Sequence, residues 1–341
     1  MRKTHSIFLR LLVPAIFSAG ANLTYSQNPP EPPKPSKIKI APAAPVIPRN
    51  KKSGGAASEK AIAADSNVSI KFCVSEGNLK VNGWDRGEVR VFVKSGREFE
   101  FRVLEKDKTS GKPNWLWIAA QGGETGRPDA GECLAGEAIE MDVPDAASLN
   151  ISGRSVTVKI DSVKKASVKN VEGNILLRNI EGGISAATYE GSVTVENSAG
   201  AISLESAAGN IAAFKVKPGH IGDIFKAKSN SGAITIQEVA HRQIEASSVT
   251  GSVFFDGVFL AGGIYNFKTS NGAVKMLLPL DSSCKITANY GFGSFNTNLP
   301  LKFIYRNENA RARSLSALLG NGESCSLNLT TTSGSIALNK N

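Results

Sequence analysis

The chain has 341 residues and a formal net charge of +10, and 41% of its residues are hydrophobic. This length suffices for one large β domain or two smaller ones. Most of the positive charge lies in residues 1–65, and the rest of the chain is nearly balanced in charge. The remainder of the chain therefore lacks the concentration of basic residues that nucleic-acid binding requires, and we expect no nucleic acid among the partners.

Residues 1–27 are typical of a secretory signal peptide. Met1-Arg2-Lys3 supplies positive charge, residues 11–17 are apolar, and Ala19-Gly20-Ala21 offers a small-residue cleavage site. A transmembrane anchor is the alternative, but the apolar run is shorter than the roughly 20 residues that a bilayer crossing needs. We expect no transmembrane span after signal removal, and an exported protein in the periplasm, at the cell surface or outside the cell.

Residues 28–65 are rich in Pro, Ala, Lys and Ser, and we predict a disordered linker there. Proline removes backbone donors and favours extended conformations. Alternation of apolar and polar residues begins near residue 66. It defines a predicted N-terminal β region, residues 66–142, because a period of two marks half-buried strands.

Two pairs of aromatic residues raise the question of which rings are exposed. Trp115 and Trp117 share one face of a predicted strand, where exposed rings would allow stacking on glycans. Aromatic side chains are favoured in cores, so we expect both to be buried. Phe254 and Phe255 are adjacent, so one of them should face outward.

A glycine-centred unit recurs through residues 143–341. Each glycine has an apolar residue two positions later and Ser, Thr or Asn three positions earlier. The polar side chain can bond to the backbone two residues on, and glycine can adopt the left-handed conformation that closes a corner. These predicted turn glycines are Gly173, Gly182, Gly191, Gly200, Gly209, Gly232, Gly251, Gly272 and Gly334.

A unit this short cannot bury its apolar face alone, so its copies must stack. We predict an all-β fold in which residues 143–341 form a β-solenoid after the short N-terminal β region. Residues 66–341 as one continuous domain are also compatible with the pattern. An antiparallel β-sandwich is the alternative, because the same spacing could build a meander. The corners repeat in kind, which favours the solenoid.

The four cysteines are Cys73, Cys133, Cys284 and Cys325. An even number in an exported chain suggests disulfides, and four cysteines allow three pairings. Pairing Cys73 with Cys133 and Cys284 with Cys325 is the simplest, because each pair lies within one proposed subregion. Free buried thiols are the alternative.

The sequence offers no catalytic constellation. It has neither a nucleophile elbow nor a phosphate-binding loop. His220 and His241 lack partners at ligand spacing, so we expect them in surface loops. Glu172, Glu181 and Glu190 recur at nine-residue spacing, and we expect them to be solvated rather than to form an acidic ladder. We predict no catalytic residue, no cofactor and no metal.

Several motifs resemble the DUF4097 family of bacterial adhesin-like β-strand repeat proteins. They are Gly83-Trp84-Asp85, Glu88–Val91, Asp142-Val143-Pro144 and Thr332-Ser333-Gly334-Ser335-Ile336, in this order over residues 66–341. The resemblance implies a right-handed β-solenoid-like fold and a surface or envelope setting, and it implies no catalytic residues.

Together these features predict a non-enzymatic, secreted cell-envelope protein, an adhesin-like structural or binding module that uses its β-repeat surface. A polysaccharide-acting β-helix enzyme with an unrecognised acidic site is the alternative. The partner is unknown from the sequence, and a cell-envelope polymer, a glycan or another surface protein are the candidates.

Overall fold

The computed structural model describes residues 57–121, 133–220, 222–309, 312–322 and 324–341. The expected signal peptide and residues 28–56 of the expected linker lie outside these ranges. The described residues belong to one compact unit and form 25 strands and no helix, so the all-β prediction is confirmed.

The strands fall into three groups along the chain. The N-terminal group is β1 (Ser58–Ala63), β2 (Ser69–Trp84), β3 (Glu88–Lys94), β4 (Phe99–Lys106), β5 (Pro113–Ala120), β6 (Leu134–Pro144) and β7 (Ser148–Asp161). The repeat group is β8 (Lys165–Glu172), β9 (Ile175–Arg178), β10 (Ile184–Glu190), β11 (Val193–Glu196), β12 (Ile202–Ala208), β13 (Ile211–Val216), β14 (Ile224–Ser231), β15 (Ile234–Val239), β16 (Gln243–Thr250), β17 (Val253–Asp256), β18 (Gly263–Asn271) and β19 (Val274–Leu278). The C-terminal group is β20 (Cys284–Gly291), β21 (Ser294–Thr297), β22 (Leu301–Asn307), β23 (Arg313–Leu319), β24 (Cys325–Ser333) and β25 (Ser335–Lys340).

The repeat group is a solenoid with two walls. Even-numbered strands from β8 to β18 stack in parallel as the first wall, and odd-numbered strands from β9 to β19 stack in parallel as the second. Ile184 pairs with Ile202, an offset of 18 residues, so one coil spans two of the nine-residue glycine intervals. Parallel pairing of strands one coil apart is the solenoid arrangement, and the antiparallel sandwich alternative is wrong.

The core lies between the two walls. Alternate residues of each strand point inward, so residues at the same register position form stacks along the solenoid axis. Ile202 and Phe225 stack in the first wall and Val193 and Ile211 in the second, each at most 2% exposed. Each coil therefore buries its apolar side chains against the coils before and after it.

The walls meet at two kinds of corner. Corner one follows the first-wall strand of each coil and is two residues long in every coil from β8 to β19. Corner two follows the second-wall strand and varies from three residues, 240–242, to seven, 217–223. Length variation among the coils is thus confined to one edge of the solenoid.

Corner one carries a ladder of glycines. Its members, together with the last coil, are Gly173, Gly191, Gly209, Gly232, Gly251, Gly272 and Gly334. A methyl group on any of them would overlap the backbone carbonyl one coil below, which from Gly191 onward is the carbonyl of the preceding glycine of the ladder. All but Gly272 also have a positive φ, between 110° at Gly173 and 158° at Gly334. Only glycine fits this edge, for steric as well as conformational reasons.

The polar residue three positions before each ladder glycine is buried and bonds between coils. Thr269 Oγ1 donates to the carbonyl oxygen of Gly251 at 2.8 Å, and Ser229 Oγ donates to that of Gly209 at 3.1 Å. The same bond is made by Thr188, Ser206, Ser248 and Thr331. The predicted bond to the backbone two residues on is also present at Thr188, but the intercoil bond is the shared feature.

Two of the predicted glycines belong to corner two. Gly182 and Gly200 alternate with the corner-one glycines, because the nine-residue period counts both corners of an 18-residue coil. Gly200 has φ of 103°, whereas at the preceding corner the positive φ of 106° belongs to Gly183 and not to Gly182. The prediction that all corners are of one kind is wrong.

Each end of the solenoid is closed by an inserted coil. At the N-terminal end β2 lies between β7 on one side and β5 and β6 on the other. Antiparallel strands extend this cap, with β4 beside β5 and β3 and β1 beside β6. At the C-terminal end β24 lies between β18 and β20, and β25 lies between β19 and β21. The antiparallel strands β23 and β22 follow β20.

Both caps carry a disulfide between the inserted coil and the outer layer. Cys73 of β2 is bonded to Cys133, which directly precedes β6, and Cys284 of β20 is bonded to Cys325 of β24. This is the simplest of the three pairings.

The folded region begins before residue 66. Strand β1 lies inside the expected linker and pairs antiparallel with β3, with Ile62 packed against the core. Its sequence, Ser-Glu-Lys-Ala-Ile-Ala, contains one large apolar residue, which is too weak an alternation to indicate a strand. The predicted linker boundary at residue 65 is therefore wrong.

Candidate functional site

An open depression on the outer surface of the N-terminal cap is the candidate functional site. It has a volume of about 670 Å³ and lies where β4, β5, β2, β7 and β8 run side by side. We call it the Trp115 depression. None of the predicted turn glycines or cysteines lines it, so the residues that the sequence marked most clearly serve the scaffold and not this surface.

Two rows of cross-strand neighbours supply its floor, and only Arg102 and Trp117 of these rows lie outside the lining. The first row runs from β4 to β8 through Glu105, Trp115, Ser69, Ser148 and Lys165. The second row runs in parallel through Arg102, Trp117, Lys71, Asn150 and Ser167. Neighbours in such a row lie about 5 Å apart, so the floor presents a compact set of polar groups beside aromatic rings.

The two tryptophans point outward, contrary to the expected burial. Leu116 and Ile118 alternate with them on β5 and are 0% exposed, so the aliphatic face of this strand fills the core. Trp115 is 44% exposed. The strand has two apolar faces, and the pattern alone did not indicate which of them covers the end of the solenoid.

Trp115 is the most accessible of the three tryptophans. The Trp117 ring lies between the Lys71 ammonium, 5.4 Å from its centroid, and the Arg102 guanidinium at 5.1 Å. Arg86 and Arg90 lie over the ring of Trp84. Those two rings already have cationic partners, which leaves the Trp115 ring as the apolar platform of the depression.

Two carboxylates at the rim hold loops in place. Asp107 Oδ1 accepts hydrogen bonds from the backbone N–H groups of Thr109 and Ser110 at 2.9 and 2.7 Å. These bonds lower the pKa of Asp107, so it stays ionised. Asp65 Oδ1 accepts from the backbone N–H of Asn67 at 3.0 Å. A general acid needs a raised pKa, so Asp107 is suited to shaping the rim rather than to proton transfer.

The depression is nearly balanced in charge and rich in hydrogen-bonding groups. Asp65, Glu105 and Asp107 are countered by Lys71 and Lys165. Hydroxyl and amide side chains from Ser69, Ser148, Ser167, Asn67 and Asn150 complete the lining. An exposed indole beside such groups suits a ligand that has an apolar face and many hydroxyls.

A second depression, of about 690 Å³, lies along corner two. Glu181, Gly182 and His220 contribute to it, and its lining contains no large aromatic ring other than the imidazole. Glu172 and Glu190 pair on adjacent coils at corner one, so Glu181 is separated from them across the solenoid. The three glutamates do not form one ladder.

The two histidines differ in environment. His220 is exposed, as expected, but His241 is 0% exposed and its Nε2 lies 2.8 Å from the carbonyl oxygen of Gly200. The prediction of a surface position for His241 is wrong, because its ring packs beside Phe225 and contacts the backbone of the neighbouring corner at Gly200. Within the described ranges no group of three or more His, Cys, Asp or Glu side chains is arranged to hold a metal ion.

The outward position predicted for one of two adjacent phenylalanines is confirmed. Phe255 is buried, and Phe254 is half-buried on the outer face of the second wall. No helix in the part of the chain that the structure describes has the length and apolar character of a membrane span.

Comparison with known proteins gives one family match. The model described as Toastrack DUF4097 matches residues 47–253, which include the N-terminal cap and the coils up to β17. No curated protein matches the chain.

Solved structures of bacterial proteins are similar to this chain at low sequence identity and low TM-score. A "putative adhesin" from Parabacteroides distasonis is 12% identical, with 84% of this chain and 98% of that chain covered and a TM-score of 0.42. A "putative lipid binding protein" from the same organism is 11% identical, with 84% and 97% covered and a TM-score of 0.39. A "putative adhesin" from Bacteroides fragilis is 11% identical, with the same coverage and a TM-score of 0.36.

Proposed function

The chain belongs to the Toastrack DUF4097 family, and on this premise we propose that it is a non-enzymatic, exported binding protein of the cell envelope. Its ligand in this proposal is a neutral glycan of an envelope polymer, held in the Trp115 depression. The observation that carries the proposal is the exposed Trp115 ring beside a row of hydroxyl and amide side chains.

The chemistry of the depression supports a neutral saccharide. One face of a pyranose ring presents C–H groups that pack on an indole by dispersion, and its hydroxyls pair with amides, hydroxyls and carboxylates. The near balance of three carboxylates and two ammonium groups favours an uncharged ligand over a polyanion. Lys71 and then Asn150 follow Trp117 in the second row, where Lys71 can donate these hydrogen bonds and Asn150 can donate and accept them.

The first wall leaves space for a chain that extends beyond the depression. The second row continues along the outer face through Ser167, Ser185 and Ser203 on successive coils. These short polar side chains leave a low track that leads away from Trp115 along the solenoid axis. A linear polymer can follow this track, with one sugar on the indole and its neighbours over the serines.

Export is supported by features outside the depression. Residues 1–27 have the composition of a signal peptide, and disulfides persist mainly in oxidising compartments. The non-enzymatic part of the proposal is supported by the carboxylates. A glycosidase needs a pair of them, and of the three that line the depression Asp65 and Asp107 accept turn hydrogen bonds, which leaves Glu105 without a second one.

Replacing Trp115 tests the proposal. Soluble neutral and acidic oligosaccharides on an array identify a binder for the wild-type protein, and calorimetry with that oligosaccharide measures its Kd. We expect Trp115→Ala to weaken binding by at least about tenfold, because the stacking platform is lost. Tyr189→Ala is the matched control, since Tyr189 is an exposed aromatic residue of the same wall at 68% exposure, and its Kd should stay unchanged.

Three outcomes would count against the proposal. Equal loss in both variants would place binding elsewhere on the wall, and preference for acidic oligosaccharides would contradict the neutral ligand. Release of new reducing ends from the bound oligosaccharide, abolished by Glu105→Gln, would establish an enzyme instead of a binding module.

A further inference from the structure

We propose a second binding surface at the opposite end of the solenoid, where the outermost strand of the C-terminal cap contacts an anionic lipid bilayer. We call it the cap patch and define it as Phe292, Lys302, Phe303, Ile304, Tyr305 and Arg306. The proposal does not depend on the glycan ligand, because the two surfaces share no residue.

The cap patch exposes large apolar side chains on an edge strand. Phe303 is 44%, Ile304 60% and Tyr305 56% exposed, and β22 pairs within the described residues with β23 alone. Phe292 is 66% exposed and occupies the turn after β20. Asn307 of β22 pairs with Ser314, and Gly291 pairs with Arg313, so this turn lies at the same end of the hairpin as Tyr305. Consecutive exposed apolar side chains on an edge strand indicate an interaction surface.

The strands around the patch carry a net positive charge. Strands β20 to β23 contain Lys285, Lys302, Arg306 and Arg313 and no acidic residue. The Arg306 guanidinium lies 5.6 Å from the centroid of the Phe303 ring, so a cation and an aromatic face stand together at the surface. Glu308, in the loop after β22, forms an ion pair with Arg306. The strands themselves keep a net positive charge.

Two features disfavour a second copy of this chain as the occupant. The register of β22 against β23 shifts between Phe303 and Tyr305, and this bulge interrupts the straight edge that strand addition needs. Lys302 and Arg306 would also meet the same cations of a second copy. Charged residues and bulges are the devices by which exposed edges avoid pairing with other strands.

An anionic bilayer surface can accommodate both the apolar and the basic side chains of the cap patch, and binding to it needs no strand pairing with β22. Aromatic and aliphatic side chains enter the interfacial region, where Tyr, Trp and neighbouring apolar residues are favoured. Each basic residue near an anionic leaflet adds electrostatic attraction. The combination of consecutive exposed apolar residues with the net positive charge of the same strands therefore points to anionic lipid.

Vesicle binding tests the cap patch. The full chain is mixed with vesicles of phosphatidylcholine alone or of phosphatidylcholine with phosphatidylglycerol, and the bound fraction is measured by flotation. We expect binding only to the anionic vesicles and weaker binding as salt increases. The double variant Ile304→Ser/Tyr305→Ser should lower the partition coefficient at least about tenfold, and Lys302→Glu should lower it as well.

The matched control is Tyr189→Ser/Val249→Ser, which removes two exposed apolar side chains from the first wall, at 68% and 50% exposure. It should bind vesicles like the wild type. Equal melting temperatures of all variants show that lost binding is not lost folding.

The proposal fails if the wild type ignores anionic vesicles or binds both kinds equally. It also fails if analytical ultracentrifugation finds a dimer that Ile304→Ser/Tyr305→Ser dissociates, because the patch would then cover a second copy. Loss of glycan binding in Trp115→Ala leaves this result untouched, so the failures of the two proposals are distinguishable.

Discussion

Glycine and hydroxyl residues recur together because each hydroxyl donates a hydrogen bond to the carbonyl oxygen of the glycine in the coil below it. At corner one the backbones of adjacent coils approach closely, so no side chain fits and the glycine carbonyl faces the next coil. Thr269 fills this approach with a donor for the Gly251 carbonyl. A buried carbonyl without a partner would cost about 1–3 kcal/mol, which explains a polar residue at an inward position of every coil.

Two glycine substitutions separate close approach from backbone conformation. A methyl group at Gly251 would overlap the Gly232 carbonyl, whereas one at Gly262 would meet no atom within 4 Å, although both residues have positive φ, 148° and 73°. We expect Gly251→Ala to lower the free energy of unfolding by about 2–4 kcal/mol and Gly262→Ala by about 1–2 kcal/mol. Urea unfolding measures both. Equal losses would mean that conformation, and not the ladder, sets the cost.

His241 is a buried titratable group whose protonation opposes folding. The Nε2 contact with the Gly200 carbonyl requires the proton on Nε2, and Nδ1 is buried without a partner. Burial lowers the pKa of His241 below 6.5, although the Gly200 carbonyl and the Asp223 carboxylate oppose this shift. Asp223 forms an ion pair with Arg242 beside it.

This shift predicts a pH dependence of stability. The unfolded chain takes up a proton at His241 near pH 6.5, and the folded chain does so only at lower pH. The free energy of unfolding should therefore fall as the pH drops from about 7.5 to about 5, and the loss should level off below the folded pKa. In urea unfolding, His241→Gln should show a smaller fall over this range. An unchanged pH slope in the variant would refute the role of His241.

At the scale of elements, the two caps use the same device. Each places one coil beneath an outer layer and bonds the two layers through cysteine, β2 to the residue before β6 and β24 to β20. A solenoid otherwise ends in an unpaired edge with exposed apolar residues, which invites aggregation. The inserted coil gives each end two partners, and the disulfide prevents their separation.

Removal of one disulfide should loosen one end of the molecule. The Cys284–Cys325 bond closes a loop of 41 residues, for which loop-closure entropy gives roughly 2–4 kcal/mol of stabilisation. We expect Cys284→Ser/Cys325→Ser to lose this amount and to show faster amide exchange in β20 to β25. Exchange in β8 to β13 should stay as in the wild type, because each coil contacts only its neighbours. Uniform acceleration would contradict this local picture.

The sequence predicts the repeat more completely than it predicts the two corner types or the candidate site. The period and the inward apolar positions agree with the structure, because they reflect local backbone geometry. The simplest cysteine pairing also agrees, because each pair lies within one cap. The two corner types escape sequence reasoning, since Gly182 and Gly191 have identical neighbours in the pattern but opposite places in the coil. The outward position of Trp115 could not be predicted for a different reason. Its strand could bury either face, and only the position of β5 over the solenoid end decides between them.

At the scale of the whole molecule, the solenoid is a short rod with different ends. Cap strands continue the first wall at both ends, and the eleven strands that stack from β5 to β20 span about 50 Å at the usual spacing between strands. The Trp115 depression lies at the N-terminal end and the cap patch at the C-terminal end. If both proposals hold, the rod bridges a polymer and a bilayer across this distance.

The inserted coils also dictate how a rod of this kind can change length. Since β2 and β24 are each already flanked on both sides, an additional turn appended outside either one would have nowhere to dock. Duplication can succeed only among the interchangeable rungs from β8 to β19. Longer and shorter relatives should consequently have the same two caps and differ by whole rungs between them. The distance between the two caps would then vary while the surfaces that they carry are preserved.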